Sequence, residues 1–142
     1  MIEIVNRQRR RRINARQWRE FGERALRTIR KDKADATIVF VSDRGIRDLN
    51  RQFRDQNQAT DVLSFPTKTE PFEAENRKYL GDVVISVERA TLQAKQNGLN
   101  LQREVEQLVL HGLLHLCGYD HETDDGKMNR LELKLRKRLG ID

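Results

Sequence analysis

Apolar positions along this chain follow two rhythms. Short β-branched runs occur four times: MIEIV at the start, ATIVFVS at 36–42, TDVLSFP at 60–66 and YLGDVVIS at 79–86. The second is almost continuously apolar, as in a strand covered on both faces, and Pro66 ends the third. Between them the spacing lengthens to three and four residues, the mark of a helix with one buried stripe. Trp18, Phe21, Ala25 and Ile29 predict a helix from about Asn14 to Arg30; Ile46, Leu49 and Phe53 predict a shorter one within DRGIRDLNRQF. Ser86 caps a predicted helix over Val87–Gln96 that Gly98 stops, and Asn100 caps another over Leu101–Leu116 that Gly118 ends. Met128, Leu131, Leu135 and Leu139 mark a last helix from about Gly126 to Leu139. The polar stretch TKTEPFEAENRK, interrupted by Pro71, is expected to be a surface loop. Strands alternate with helices and then helices dominate. That order predicts an α+β fold, one domain over residues 1–142, with a mixed, mostly parallel four-stranded sheet packed with helices.

Composition narrows the class. Charged residues make up 35% of the chain against 37% hydrophobic, yet the apolar periodicity is of a kind disordered chains lack. One cysteine, Cys117, excludes an internal disulfide. MIEIVNRQRRRR has no apolar stretch behind its basic residues, so no secretory leader is expected and the expected compartment is the cytoplasm. The longest apolar run, LVLHGLLHLC, is about half of the ~20 residues a membrane span needs, so no membrane insertion is expected.

Net charge is +6, and it is unevenly spread. Up to Thr60 there are 16 Lys+Arg against 8 Asp+Glu; beyond it, 12 against 14. The run RQRRRR and the arginines at 16, 19, 24, 27 and 30 form a cluster suited to a polyanion, with nucleic acid the foremost partner. The bland alternative is a solvated helix face behind a frayed arginine arm.

All three histidines fall in one segment, LHGLLHLCGYDH. On a helix, His111 and His115 share a face one turn apart, and Gly118 breaks the helix so that His121 can swing back to the same point. The spacing H-x-x-x-H-x-x-G-x-x-H matches the metzincin zinc signature, except that Gly112 stands where that signature has glutamate. Buried imidazoles need partners, and three at this register point to one shared metal ion rather than to three separately satisfied core residues. Three neutral nitrogens suit zinc or another borderline divalent ion, one per chain, and leave a coordination position open for chemistry. Cys117 points to roughly the opposite side of the helix and reads as core filler. Asp120 and Glu122 flank His121 as possible proton carriers or orienting groups, or as ordinary loop carboxylates.

HGLLHLCGYDH resembles the H-G-x-L-H-L-x-G-Y-D-H signature of the YbeY family of bacterial endoribonucleases, also described as rRNA maturation factors. LNRQFRDQNQATDVLSF resembles the family's L-N-x-x-[FY]-R-x-x-D-x-x-T-[DN]-V-L-S-F, and LGDVVIS its L-G-D-I-x-I-S strand. Asn57 departs from a usual aspartate and Ala59 from a frequent proline; the N-terminal arginine run lies outside the shared pattern. The resemblance implies a zincin-like metal helix, zinc held by His111, His115 and His121, and Arg54 facing the metal in the substrate cleft. An arginine there can brace a phosphate and its transition-state charge. Its bland alternative is an ion pair with Asp55 or Asp61. Thr60, Asp61, Ser64 and Asp82 are candidates either for the site or for turns and core.

The expected function is therefore a zinc-dependent, single-strand-type endoribonuclease acting on rRNA precursors (16S rRNA 3′ end processing) and in ribosome quality control, with RNA and the ribosome or its small subunit as partners. A zinc metallopeptidase is the alternative enzyme, opposed by Gly112. A ribosome assembly factor with a structural zinc is the non-enzymatic one, opposed by the three-ligand set.

Overall fold

The structure, a computed structural model, describes residues 1–67, 78–120 and 122–142. The first strand, β1 (Ile2–Asn6), pairs in parallel with β2 (Ala34–Val41), and β2 in parallel with β4 (Lys78–Ser86). The third, β3 (Val62–Pro66), runs antiparallel to β4, giving the order β1-β2-β4-β3. The expected mixed, mostly parallel sheet is thus present. Gly81 sits where three strands crowd: its φ is +132°, and a Cβ would lie 2.1 Å from the Phe65 carbonyl oxygen, so no other residue fits there unstrained.

Five helices complete the described residues. Between the strands lie α1 (Ala15–Ile29) and α2 (Asp43–Arg54); α3 (Val87–Asn97), α4 (Leu101–Leu116) and α5 (Lys127–Leu139) follow the sheet. The first four start on side-chain caps: Asn14, Ser42, Ser86 and Asn100 each accept a backbone N–H three residues on. The helices expected over Val87–Gln96 and Leu101–Leu116 form there, with the expected caps. The loop expected at Thr67–Lys78 falls largely on residues 68–77, outside the described residues. No described helix is long and apolar enough to cross a membrane.

Alternation along the strands divides the core in two. Ile38, Phe40, Val83 and Ile85 face the larger cluster, built with Trp18, Phe21 and Leu26 of α1, Val87 and Ala90 of α3, Leu110, Leu113 and Leu114 of α4, and Met128 and Leu135 of α5. Val41 and Val84 face the other way, onto Ile46 of α2. The helix bearing the histidines therefore lies against one face of the sheet and α2 against the other. They meet the same edge, since both contact β3.

The arginine arm is not frayed. Buried Gln8 donates through Nε2 to Asn6 Oδ1 and the Arg11 carbonyl, both at 2.8 Å, and accepts the Arg11 N–H, so residues 6–11 form a held turn after β1.

Candidate metal centre

Helix α4 reaches the sheet at its closest point through Gly112. A Cβ there would lie 2.5 Å from Val83 Cγ1 and 3.3 Å from Ser64 Oγ, and the Ser64 hydroxyl donates to the Gly112 carbonyl at 3.1 Å. Position 112 is thus turned into the sheet, with no room for a carboxylate. One residue round the helix, His111 and His115 emerge half-buried at its C-terminal end. There Gly118, at φ +98°, and the Tyr119 N–H bonded to the Leu114 carbonyl turn the chain out of the helix.

Each ring is oriented by an acceptor. His111 Nδ1 lies 2.6 Å from Glu132 Oε1, and His115 Nδ1 lies 2.9 Å from the Tyr119 carbonyl oxygen. A carboxylate and a carbonyl only accept, so each neutral ring carries its hydrogen on Nδ1 and its lone pair on Nε2. Those two Nε2 atoms face one another at 3.1 Å, with the rings at 76°. Two lone pairs so close repel unless a proton or a metal ion stands between them. A tetrahedral ion with bonds of about 2.0–2.1 Å to nitrogen spans its ligand atoms by roughly 3.3 Å, so the pair suits one zinc-sized ion.

Glu132 belongs to α5, and sequence reasoning missed it. Its other oxygen takes Arg136 Nη2 at 2.6 Å. Burial pushes this carboxyl up, but the hydrogen bond from His111, with the charge and hydrogen bond of Arg136, outweighs it and holds the group below the ordinary carboxylate range. The available signal was a glutamate set among Met128, Leu131 and Leu135 on an apolar stripe, a position that demands a partner.

His121, expected as the third ligand, lies outside the described residues. Among the described residues no group of three His, Cys, Asp or Glu side chains converges. Cys117 lines a separate, smaller cavity with Ile29 and Lys31 and stays out of the histidine cleft; burial raises its thiol.

The cleft itself has a volume of about 720 Å³. His111 and His115 line it together with Arg54, the edge strand residues Val62–Ser64, and Asp61, Asp120 and Glu122. Arg54 reaches it from the last turn of α2: Nη2 donates to the Ser64 carbonyl at 2.7 Å, and Cζ stands 5.7 Å over the Phe65 ring. Among the described residues no ion pair joins it to Asp55 or Asp61, and its partner is the Ser64 carbonyl. Thr60 and Asp61 also line the cleft, with Asp61 Oδ1 accepting the Val62 N–H, and Ser64, lining it too, donates its hydroxyl to the Gly112 carbonyl of α4. Asp82 accepts the Tyr79 hydroxyl at 2.6 Å and touches neither described histidine. None of the arginines between 7 and 30 lines the cleft.

A family model described as endoribonuclease YbeY matches residues 3–140. This chain belongs to the YbeY family. Among relatives that carry the name endoribonuclease YbeY, the Solibacter usitatus protein is 42% identical across 84% of this chain and 78% of its own length. The Geobacter metallireducens protein is 36% identical across 99% and 94%. The solution structure of TM1509 from Thermotoga maritima superposes with a TM-score of 0.66 at 26% identity, covering 98% of this chain and 89% of that one. Family membership extends the resemblance carried by the motifs over nearly the whole chain, beyond the stretch from Leu49 to His121.

Proposed function

We propose that this protein is a zinc-dependent endoribonuclease of the cytoplasm that acts on ribosomal RNA precursors and in ribosome quality control. The observation that carries the reading is the convergence of two imidazole Nε2 atoms at 3.1 Å in a cleft shared with the Arg54 guanidinium. The names of the relatives supply the substrate class: an RNA phosphodiester. His111 and His115 through Nε2, joined by His121, would hold one zinc ion per chain. What the ion supplies there is Lewis acidity and activation of the attacking oxygen near neutral pH.

The chain's own groups do the rest. Arg54, steadied by the Ser64 carbonyl, turns its remaining N–H groups to the cleft, where a guanidinium braces a phosphate and stabilises charge as it builds on the oxygens. Asp120 and Glu122 stand at the rim to take or return a proton. Proteolysis is disfavoured because position 112, which holds the general base in metzincins, is packed on Val83.

The test is to incubate metal-loaded protein with single-stranded and structured RNA and with casein, with and without chelator. RNA should be cut, casein spared and chelator inhibitory. His115→Ala should abolish cutting, and Arg54→Ala should lower kcat by roughly 10²–10³ with metal retained. Cleavage of casein alone, or full nuclease activity in His115→Ala, overturns the reading.

A further inference from the structure

Arginine is this chain's most abundant charge, yet the arm and α1 stand away from the cleft. Four other arginines do not. Arg44, Arg47, Arg51 and Arg54 lie on α2 at spacings of three, four and three, which keeps them within one stripe about 80° wide and roughly 15 Å long. Arg54 lines the cleft beside His111 and His115. Arg44, Arg47 and Arg51 are exposed and line a neighbouring open depression of about 740 Å³, with Arg89 and residues 57–59. Only one loop divides the two: Gln58 and Ala59 face the depression, Thr60 and Asp61 the cleft. Consecutive residues of that loop thus line the two hollows in turn.

We infer that the two hollows form one path, which holds the backbone of the RNA strand that flanks the scissile bond, with Arg44, Arg47 and Arg51 binding phosphates outside the metal centre. The inference rests on the nuclease reading and adds the route the strand takes.

Charge and hydrogen bonding support it. The depression carries four guanidinium groups against two carboxylates, Asp43 and Asp48. Asp43 is already engaged, accepting the Ser86 hydroxyl at 2.6 Å and Arg89 Nη2 at 3.3 Å. Asp48 meets Arg51 only at 3.6 Å with both side chains more than half exposed, a pair that water and salt weaken. Arg47 Nε donates to Asn57 Oδ1 at 2.9 Å. Because that acceptor is a neutral amide, it fixes the guanidinium's direction and leaves its charge for a ligand. The loop is held in turn by Asn50, buried on α2, whose Nδ2 donates to the Gln58 carbonyl at 2.9 Å. Among the described residues the lining offers donors for phosphate oxygens and no aromatic face for a base, which suits a grip on the strand's backbone rather than on its sequence.

The test measures binding of the full-length, zinc-loaded protein to fluorescein-labelled single-stranded oligoribonucleotides by anisotropy across a salt series. One oligonucleotide is long enough to reach Arg44 from the cleft; a shorter one fills the cleft only. Each lost phosphate contact lowers the slope of log K against log salt by about 0.7 for single strands, so the Arg44→Gln, Arg47→Gln, Arg51→Gln triple variant should lose about 2. Its affinity for the short oligonucleotide should stay as in wild type. Asn57→Asp, which hands Arg47 a carboxylate without touching α2, should lose about 0.7 on its own. A control triple, Lys134→Gln, Lys137→Gln and Arg138→Gln, removes three exposed charges from α5 on the opposite side of the sheet and should leave the slope unchanged. Wild-type protein that neither binds nor cuts RNA overturns the nuclease reading and this inference together. RNA bound and cut, with wild-type slopes in both the triple variant and Asn57→Asp, overturns the path alone. An equal loss in the α5 control, or displacement of the RNA as readily by polyglutamate as by unlabelled RNA, also overturns it.

Discussion

Replacing Glu132 by glutamine probes the metal centre without touching a ligand. The wild-type carboxylate accepts from two donors, His111 Nδ1 and Arg136 Nη2, each at 2.6 Å, and its side chain is only 9% exposed. An amide of the same shape can satisfy one of them only. If its oxygen keeps His111, its NH₂ faces the guanidinium; if its oxygen turns to Arg136, the NH₂ faces His111 and drives the ring hydrogen to Nε2. The first arrangement weakens the ligand and the second blocks it. Loss of such an orienting partner costs 10–100-fold in metal affinity, or about 1.4–2.8 kcal/mol. The metal-free protein should also lose roughly 1.5–3 kcal/mol, the worth of a charged hydrogen bond, because Arg136 is left half-buried with its Nε already lacking a partner. Competition against a chromogenic zinc chelator reads the first quantity and thermal unfolding of the chelated protein the second. Glu132→Asp, which keeps the charge on a shorter stem, should fall between. Zinc binding within twofold of wild type together with an unchanged Tm in Glu132→Gln would show that the carboxylate neither orients His111 nor supports α5.

Two further substitutions test the packing around the site. Gly112→Ala forces a methyl to within 2.5 Å of Val83 Cγ1 and should cost about 1–3 kcal/mol, seen as a lower urea midpoint with unchanged m; a midpoint equal to wild type would mean that α4 does not approach the sheet this closely. For Tyr79, burial and then the hydrogen bond to Asp82 push the phenol above its usual 10.0. Folding therefore favours its protonated form, a contribution present below about pH 10 and lost as pH rises through the raised value. The stability advantage of wild type over Tyr79→Phe should shrink as pH rises above about 10, and parallel Tm profiles would count against the Tyr79–Asp82 contact.

Much of this architecture is local and was legible. Periodicity placed α4 over Leu101–Leu116, and short polar residues before apolar runs announced the caps at Ser86 and Asn100, because a cap is decided within one turn. The facing of His111 and His115 follows from a spacing of four. What the sequence withheld were contacts between distant segments. Glu132 meets His111 across 21 residues, and nothing in the spacing of either says that α5 returns to that end of α4. Gln8 reads as one polar residue in a basic run, yet it organises the turn that holds the arginines. Those arginines drew the eye because they are consecutive, whereas the ones on α2 are scattered at helical intervals and gain meaning only beside residues 57–61. Gly112 was legible as a missing base but not as a contact surface, since its neighbour Val83 lies in β4, distant in sequence from α4.

His111 and His115 stand toward the carbonyl end of α4, where the helix gathers partial negative charge, and Asp61, Asp120 and Glu122 share the same basin. Among the described residues it is set against the Arg54 guanidinium, an environment that welcomes a cation and repels an anion. Were a divalent ion held there as proposed, it would invert the local field, so the ion would have to settle before a scissile phosphate could find the basin hospitable.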